Sequence, residues 1–153
     1  MKYIVSRYCG FCSGVKRAVA AAFKNAGENT VTYGELIHND IVVKSLAEKG
    51  VKIVHTAEEC AGKKVIVRSH GAGKDFFERA KSLGAEIIDA TCPYVRKIQQ
   101  LVERHYRDGF HIVIIGKKGH PEVEGVNGWC ENSATVIDSE DLPQSLHDYE
   151  KLC

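Results

Sequence analysis

Short β-branched runs alternate with amphipathic helical stretches along nearly the whole chain, and that alternation restricts it to an α/β fold with short, mostly parallel sheets flanked by helices. The strand-like runs are Tyr3 to Ser6, Val31 to Tyr33, Val51 to Val54, Lys64 to Arg68, Glu86 to Asp89, Ile112 to Ile115 and Thr135 to Ile137. Helical patterns lie between them at Val15 to Asn25, Asp40 to Lys49, Lys74 to Ser82 and Tyr94 to Arg107, with a weaker one from Glu140 to His147. Gly50 and Gly84 follow basic helix ends, as C-terminal caps do. Ser139 ahead of Glu140-Asp141 has the pattern of an N-cap. Right-handed crossovers then put helices on both faces of each sheet.

Six loops that follow strand-like runs carry a cysteine or a histidine. Two present thiols, Gly10-Phe11-Cys12-Ser13-Gly14 and Asp89-Ala90-Thr91-Cys92-Pro93. Four present imidazoles, at His38, His55, His70 and His120. Ligands in an open α/β sheet bind in the crevice at the carboxyl ends of the strands, so loops distant in sequence can meet there.

The 153 residues suit one ordinary domain or two small ones, and a boundary is expected near Cys92-Pro93, where proline can open a helix. Residues 1–92 would form a first α/β domain and 93–153 an incomplete second one. With 21 basic against 20 acidic residues and no basic cluster, nothing points to nucleic acid. No run of about 18 apolar residues could span a bilayer, and the N-terminus lacks the pattern of a signal peptide. A cytoplasmic protein with reduced thiols is expected. Six cysteines in such a setting, Cys9, Cys12, Cys60, Cys92, Cys130 and Cys153, are read as ligand or catalytic candidates before they are read as disulfides.

Cys12 stands between Gly10 and Gly14 ahead of Lys16 and Arg17, and open helix amides with nearby cations favour a thiolate. The plainer alternative is a small hydrophobe in a tight turn. Cys9 and Cys12 have the spacing of a thiol-disulfide redox pair, although the surrounding pattern is not thioredoxin-like. Pro93 withholds an amide and starts a helix, leaving Thr91 and Cys92 to face the crevice. Ser69-His70-Gly71-Ala72-Gly73 combines glycines and a helix start, which suits a phosphate group, though it could be only a turn. His120 and Glu122 flank Pro121, pairing an anion contact with a proton donor, and Glu124 is assigned to solvent. His38 precedes Asn39, a good N-cap. His55, His105, His111 and His147 read as surface or structural.

Taken together, Gly-Phe-Cys-Ser-Gly-Val-Lys-Arg-Ala, Gly-Glu-Leu-Ile-His-Asn, Ser-His-Gly-Ala-Gly, Asp-Ala-Thr-Cys-Pro-Tyr-Val and Gly-Lys-Lys-Gly-His-Pro-Glu-Val-Glu-Gly resemble, in order, the motifs of the 4-hydroxy-3-methylbut-2-enyl diphosphate reductase family. The resemblance implies an iron-sulfur oxidoreductase of isoprenoid biosynthesis by the methylerythritol phosphate route. It implies three similar α/β domains in a trefoil-like arrangement around a 4Fe-4S cluster, of which the third domain is missing here. On the same footing, Cys12 and Cys92 match two of three cysteine ligands. His38, His70 and His120 match the histidines around an allylic diphosphate substrate, and Glu122, beside His120, matches the proton-delivering acid. A ferredoxin or flavodoxin would supply electrons, and isopentenyl and dimethylallyl diphosphate would be the products. Cys153 is not assigned the third ligand role, and Cys60 and Cys130 have no counterpart. Two alternatives stay open: a partial domain with neither cluster nor activity, and a Cys9/Cys12 thiol-disulfide oxidoreductase.

Overall fold

The computed structural model describes residues 2–7, 9–139 and 143–153. Along them run α1 (Ser13–Lys24), β1 (Thr30–Tyr33), α2 (Asp40–Ala47), β2 (Lys52–Val54), β3 (Lys64–Val67), α3 (Lys74–Ser82), β4 (Glu86–Asp89), α4 (Pro93–Arg107), β5 (Val113–Ile115), α5 (Pro121–Asn127) and β6 (Thr135–Ile137). Short 3-10 turns occur at Glu58–Cys60 and Gln144–Asp148.

Four strands form one all-parallel sheet in the order β2-β1-β3-β4, with Val31 opposite both Lys52 and Val65, and Ile66 opposite Ile88. Strand β3 is buried on both faces, which is why it reads as a continuous aliphatic run. Val65 and Val67 pack with Val31, Phe76 and Ala80 under α3, while Ile66 packs with Ala18, Ala22, Leu36 and Leu46 under α1 and α2. Each such buried aliphatic stabilises the fold by about 1.5–3 kcal/mol. Both helix ends marked by glycine close as expected. Gly50 (φ 85°) and Gly84 (φ 76°) adopt the left-handed conformation, and the next residues, Val51 and Ala85, donate back to Leu46 and Ala80.

The topology decides where a ligand can sit. From β1 the chain leaves through α2 to β2 on one side, and from β3 it leaves through α3 to β4 on the other. The connections therefore part between β1 and β3, and the crevice opens above their carboxyl ends.

Strands β5 and β6 form a second parallel pair. Residues 151–153 lie along the free edge of β5, where Val113 N donates to Cys153 O (2.8 Å) and Cys153 N to His111 O (3.0 Å). The inner face of α4 (Val102, Tyr106) packs with Ile112, Ile114, Val126 and Trp129 beneath this pair.

Two expectations are corrected. Residues 3–6 form no β-ladder: Tyr3 and Ile4 are 84% and 99% exposed, so among the described residues the β-branched run has no neighbouring strand to pair with. Cys12 therefore opens a helix without following a strand. The weak helix near the C-terminus is a 3-10 turn at Gln144–Asp148, because Pro143 can open it but no apolar stripe holds a longer helix against the core, and none of its residues is buried. Its expected start at Glu140-Asp141 lies outside the described residues. The proline-initiated helix at Pro121 is α5.

Candidate active site

Every sequence-predicted site residue stands at or just before a helix N-terminus. Cys12 is the N-cap of α1, Cys92 of α4 and His120 of α5. His38 precedes Asn39, whose side chain caps α2 by accepting from Val42 N (3.1 Å), and His70 lies three residues before Gly73, the N-cap of α3. Helices α2, α3 and α5 thus start beside imidazoles and α1 and α4 at thiols, and open helix amides beside imidazoles are what anions favour.

The three histidines form a row. The His38 and His70 rings are 5.8 Å apart between centroids, and His70 and His120 are 5.9 Å apart, edge to face. His38 and His70 come from the loops after β1 and β3, the two strands between which the connections part. His120 comes from the loop after β5, so the row joins the two sheets. His38 and His120 are exposed, whereas His70 is half-buried with an Nδ1 that has no hydrogen-bond partner.

Burial, then the neighbouring Arg68 guanidinium, holds the His70 imidazole below its ordinary pKa, with smaller contributions in the same direction from His38 and His120. The Glu122 carboxylate opposes the shift, which sets it within electrostatic reach of His70. His120 Nδ1 accepts from Glu122 N (3.2 Å), and this fixes the ring at the start of α5. Glu122 is half-buried and Glu124 exposed.

Cys92 packs against α1, the helix that Cys12 caps. Gly14 is buried against Cys92, and a β-carbon at residue 14 would lie 2.9 Å from Cys92 Sγ. Arg17, on the next turn, donates to the Thr91 carbonyl. Cys92 N donates to Ser69 O (2.9 Å), so the Cys92 turn is bonded to the His70 loop. The same turn is held by the Asp89 carboxylate, which accepts from Thr91 N (3.0 Å) and pairs with Arg96.

All six thiols are free. Cys60 and Cys130 are buried and donate to the Thr56 and Asn127 carbonyls, and burial raises both thiols above their ordinary pKa, as in structural cysteines. Of the remaining histidines, His111 bonds Thr135 and stacks on Tyr149, and His105 bonds Leu101 O. His55 and His147 are exposed.

A cubane cluster takes up to four thiolates. Cys12 is exposed and Cys92 sits in the cradle that Gly14 leaves open, so the donor chemistry fits two of those positions. Among the described residues no group of three or more His, Cys, Asp or Glu could complete a metal site.

Two residues missed from sequence join the constellation. Arg68 is half-buried between Tyr33 and His70, with an Nε that has no partner, and Gln99 is fully buried beneath the His70 loop. Gln99 had a legible signal: it is a polar residue in the Val95, Gln99, Val102 stripe of α4.

The sequence profile of the LytB protein family matches residues 4–153. The chain belongs to that family. The 4-hydroxy-3-methylbut-2-enyl diphosphate reductase of Caldanaerobacter subterraneus subsp. tengcongensis is 44% identical over 160 residues, covering 100% of this chain and 56% of that protein. The same-named protein of Alkaliphilus oremlandii is 43% identical over 157 residues, with the same coverage. Among solved structures, an (E)-4-hydroxy-3-methyl-but-2-enyl diphosphate reductase, described as the terminal enzyme of the non-mevalonate pathway, superposes with a TM-score of 0.81 at 35% identity, over 97% of this chain and 55% of that one. The Plasmodium falciparum reductase superposes with a TM-score of 0.79 at 28% identity, over 90% of this chain and 46% of that one. The chain thus spans about half the length of the relatives it matches, and it shares their α/β architecture. No helix among its described residues is long and apolar enough to cross a membrane.

Proposed function

We propose that this LytB chain forms the part of a 4-hydroxy-3-methylbut-2-enyl diphosphate reductase that grips the substrate's diphosphate and supplies two thiolate ligands of its iron-sulfur cluster. The observation that carries the reading is the row His38, His70, His120, which spans both sheets with Glu122 beside it. A diphosphate needs several donors at once, and imidazoles with the adjoining helix amides provide them. His70, kept neutral by burial, would gain a proton or share a hydrogen as the anion arrives, since a bound negative charge favours the imidazolium.

Cys12 and Cys92 are assigned as thiolate donors to a 4Fe-4S cluster completed by residues outside this chain. When bound, such a cluster supplies electrons and an open iron that acts as a Lewis acid toward the allylic oxygen. Removing that hydroxyl as water takes two electrons and two protons, and gives isopentenyl or dimethylallyl diphosphate. Glu122 is assigned the proton delivery: it is half-buried and is held close to both His120 and His70. Electrons would come from a ferredoxin or flavodoxin.

The test compares this chain with a version extended to the length of its relatives. Iron and labile-sulfide analysis should find a 4Fe-4S cluster and reductase activity in the extended protein, both lost in Cys12→Ser and Cys92→Ser. Reductase activity that survives both substitutions would reject the assignment. If Cys9→Ser abolishes activity while Cys12→Ser retains the cluster, a thiol-disulfide oxidoreductase is the better reading.

A further inference from the structure

Helix α4 begins at Cys92 and carries, two turns later, Gln99 with 0% of its surface exposed. Its Nε2 donates to Gly125 O (3.3 Å) and reaches Ala72 O (3.5 Å). One of these carbonyls belongs to the His70 loop and the other to α5, the helix opened by His120. Both acceptors are oxygens, so the amide nitrogen must face them, and this fixes the amide's orientation. The orientation leaves Gln99 Oε1 buried without a partner. Burying an amide in this way costs about 1–3 kcal/mol relative to an apolar side chain of equal size. A stripe of Val95 and Val102 would accept leucine or methionine at the same point.

The contacts around Gln99 have one theme. Trp129 Nε1 also donates to Ala72 O (3.0 Å), and Lys74 N donates to Gly128 O (3.3 Å). A β-carbon on Gly71 would lie 2.4 Å from Gln99 Nε2, and one on Gly125 would lie 3.2 Å from His70 O. The His70 loop and α5 therefore approach backbone to backbone, with the Trp129 indole bridging them just past the end of α5. Gln99 adds a bridge from a third element.

We propose that Gln99 is a positioning residue that locks the His70 loop to α5, and so sets the spacing between His70 and the His120-Glu122 pair. Its amide is fully buried and bonds only backbone carbonyls, so it acts through the His70 loop and α5. The inference deepens the diphosphate-binding reading above by naming what holds two of its three histidines in register. It also explains why a buried polar group is kept on the helix that starts at Cys92.

The test uses proton Overhauser contacts in the labelled chain, which need no ligand and therefore judge Gln99 independently of whether a diphosphate binds. In the unsubstituted protein the Gln99 side-chain amide protons should exchange slowly and show contacts to Gly71 and Gly125; fast exchange without those contacts would overturn the proposal whether or not any variant folds. In Gln99→Met, which keeps the volume but removes the donor, the His70-to-His120 contact should be lost while the His38-to-His70 contact persists. A general loss of structure would weaken both together. Inorganic pyrophosphate should bind Gln99→Met about tenfold more weakly, the scale of one lost net hydrogen bond, with Gln100→Met on the exposed face as a control. Retention of the His70-to-His120 contact, with unchanged pyrophosphate affinity, would also overturn the proposal.

Discussion

Gly128 provides a decisive perturbation of the contact that joins the two halves of the site. It ends α5 with ordinary helical backbone angles (φ −62°), so alanine fits the local conformation. Relief of unfolded-chain entropy alone would stabilise Gly128→Ala by about 0.4–1 kcal/mol. The added β-carbon, however, would lie 2.4 Å from Gly73 Cα and 3.4 Å from Gly73 C. These are backbone atoms just before α3, and no rotamer change can move them aside. Overpacking costs about 1–3 kcal/mol, and a clash with backbone belongs at the upper end. The net expectation is about 2 kcal/mol of destabilisation, or a Tm lower by about 4–8 °C in a chain of this size. Gly27→Ala is the matched control: nothing lies within 4 Å of a β-carbon there, and it should leave Tm unchanged or raise it. Thermal unfolding followed by circular dichroism, with both variants run beside the parent, reads the comparison. If Gly128→Ala melts at or above the parent temperature, the close approach of the His70 loop to α5 is wrong.

Timed alkylation with mass mapping should label the exposed Cys9, Cys12 and Cys153 within the native lifetime and leave Cys60 and Cys130 unlabelled until denaturant is added. Rapid native labelling of Cys60 would contradict its burial. In the extended protein, Glu122→Gln should keep substrate affinity within about threefold but slow turnover by about 10²-fold or more; unchanged turnover would remove Glu122 from the proton path. Because His70 titrates lower when folded than when unfolded, the unfolded chain binds an extra proton near and below about pH 6.5. Its contribution to stability is therefore complete above that pH and declines as pH falls. Urea midpoints measured from about pH 7.5 down to about 5.5 should fall less steeply in His70→Gln than in the parent.

Much of the arrangement was legible because each signal was local. Strands β1 to β6 and helices α1 to α4 follow from β-branched runs, aliphatic spacing and glycine caps, and the loops bearing His38, His70, Cys92 and His120 follow from the ends of β1, β3, β4 and β5. Residues 3–6 misled because β-branched composition states a preference for a pleated neighbour without supplying one. Arg68 and Gln99 escaped notice because their importance is non-local. The α4 stripe marks Gln99 as buried, but its role depends on carbonyls 26 and 27 residues away. The cradle at Gly14 is equally invisible locally, since its content is the Cys92 thiol on another helix.

The proposed site depends on three imidazoles, contributed by three separate loops, acting on one anion. Titrating the labelled chain with inorganic pyrophosphate while following all seven histidine rings tests this most directly. His38, His70 and His120 should shift together along a single binding curve, with His55, His105, His111 and His147 still. Three unrelated curves, or shifts spread evenly over all seven rings, would contradict it.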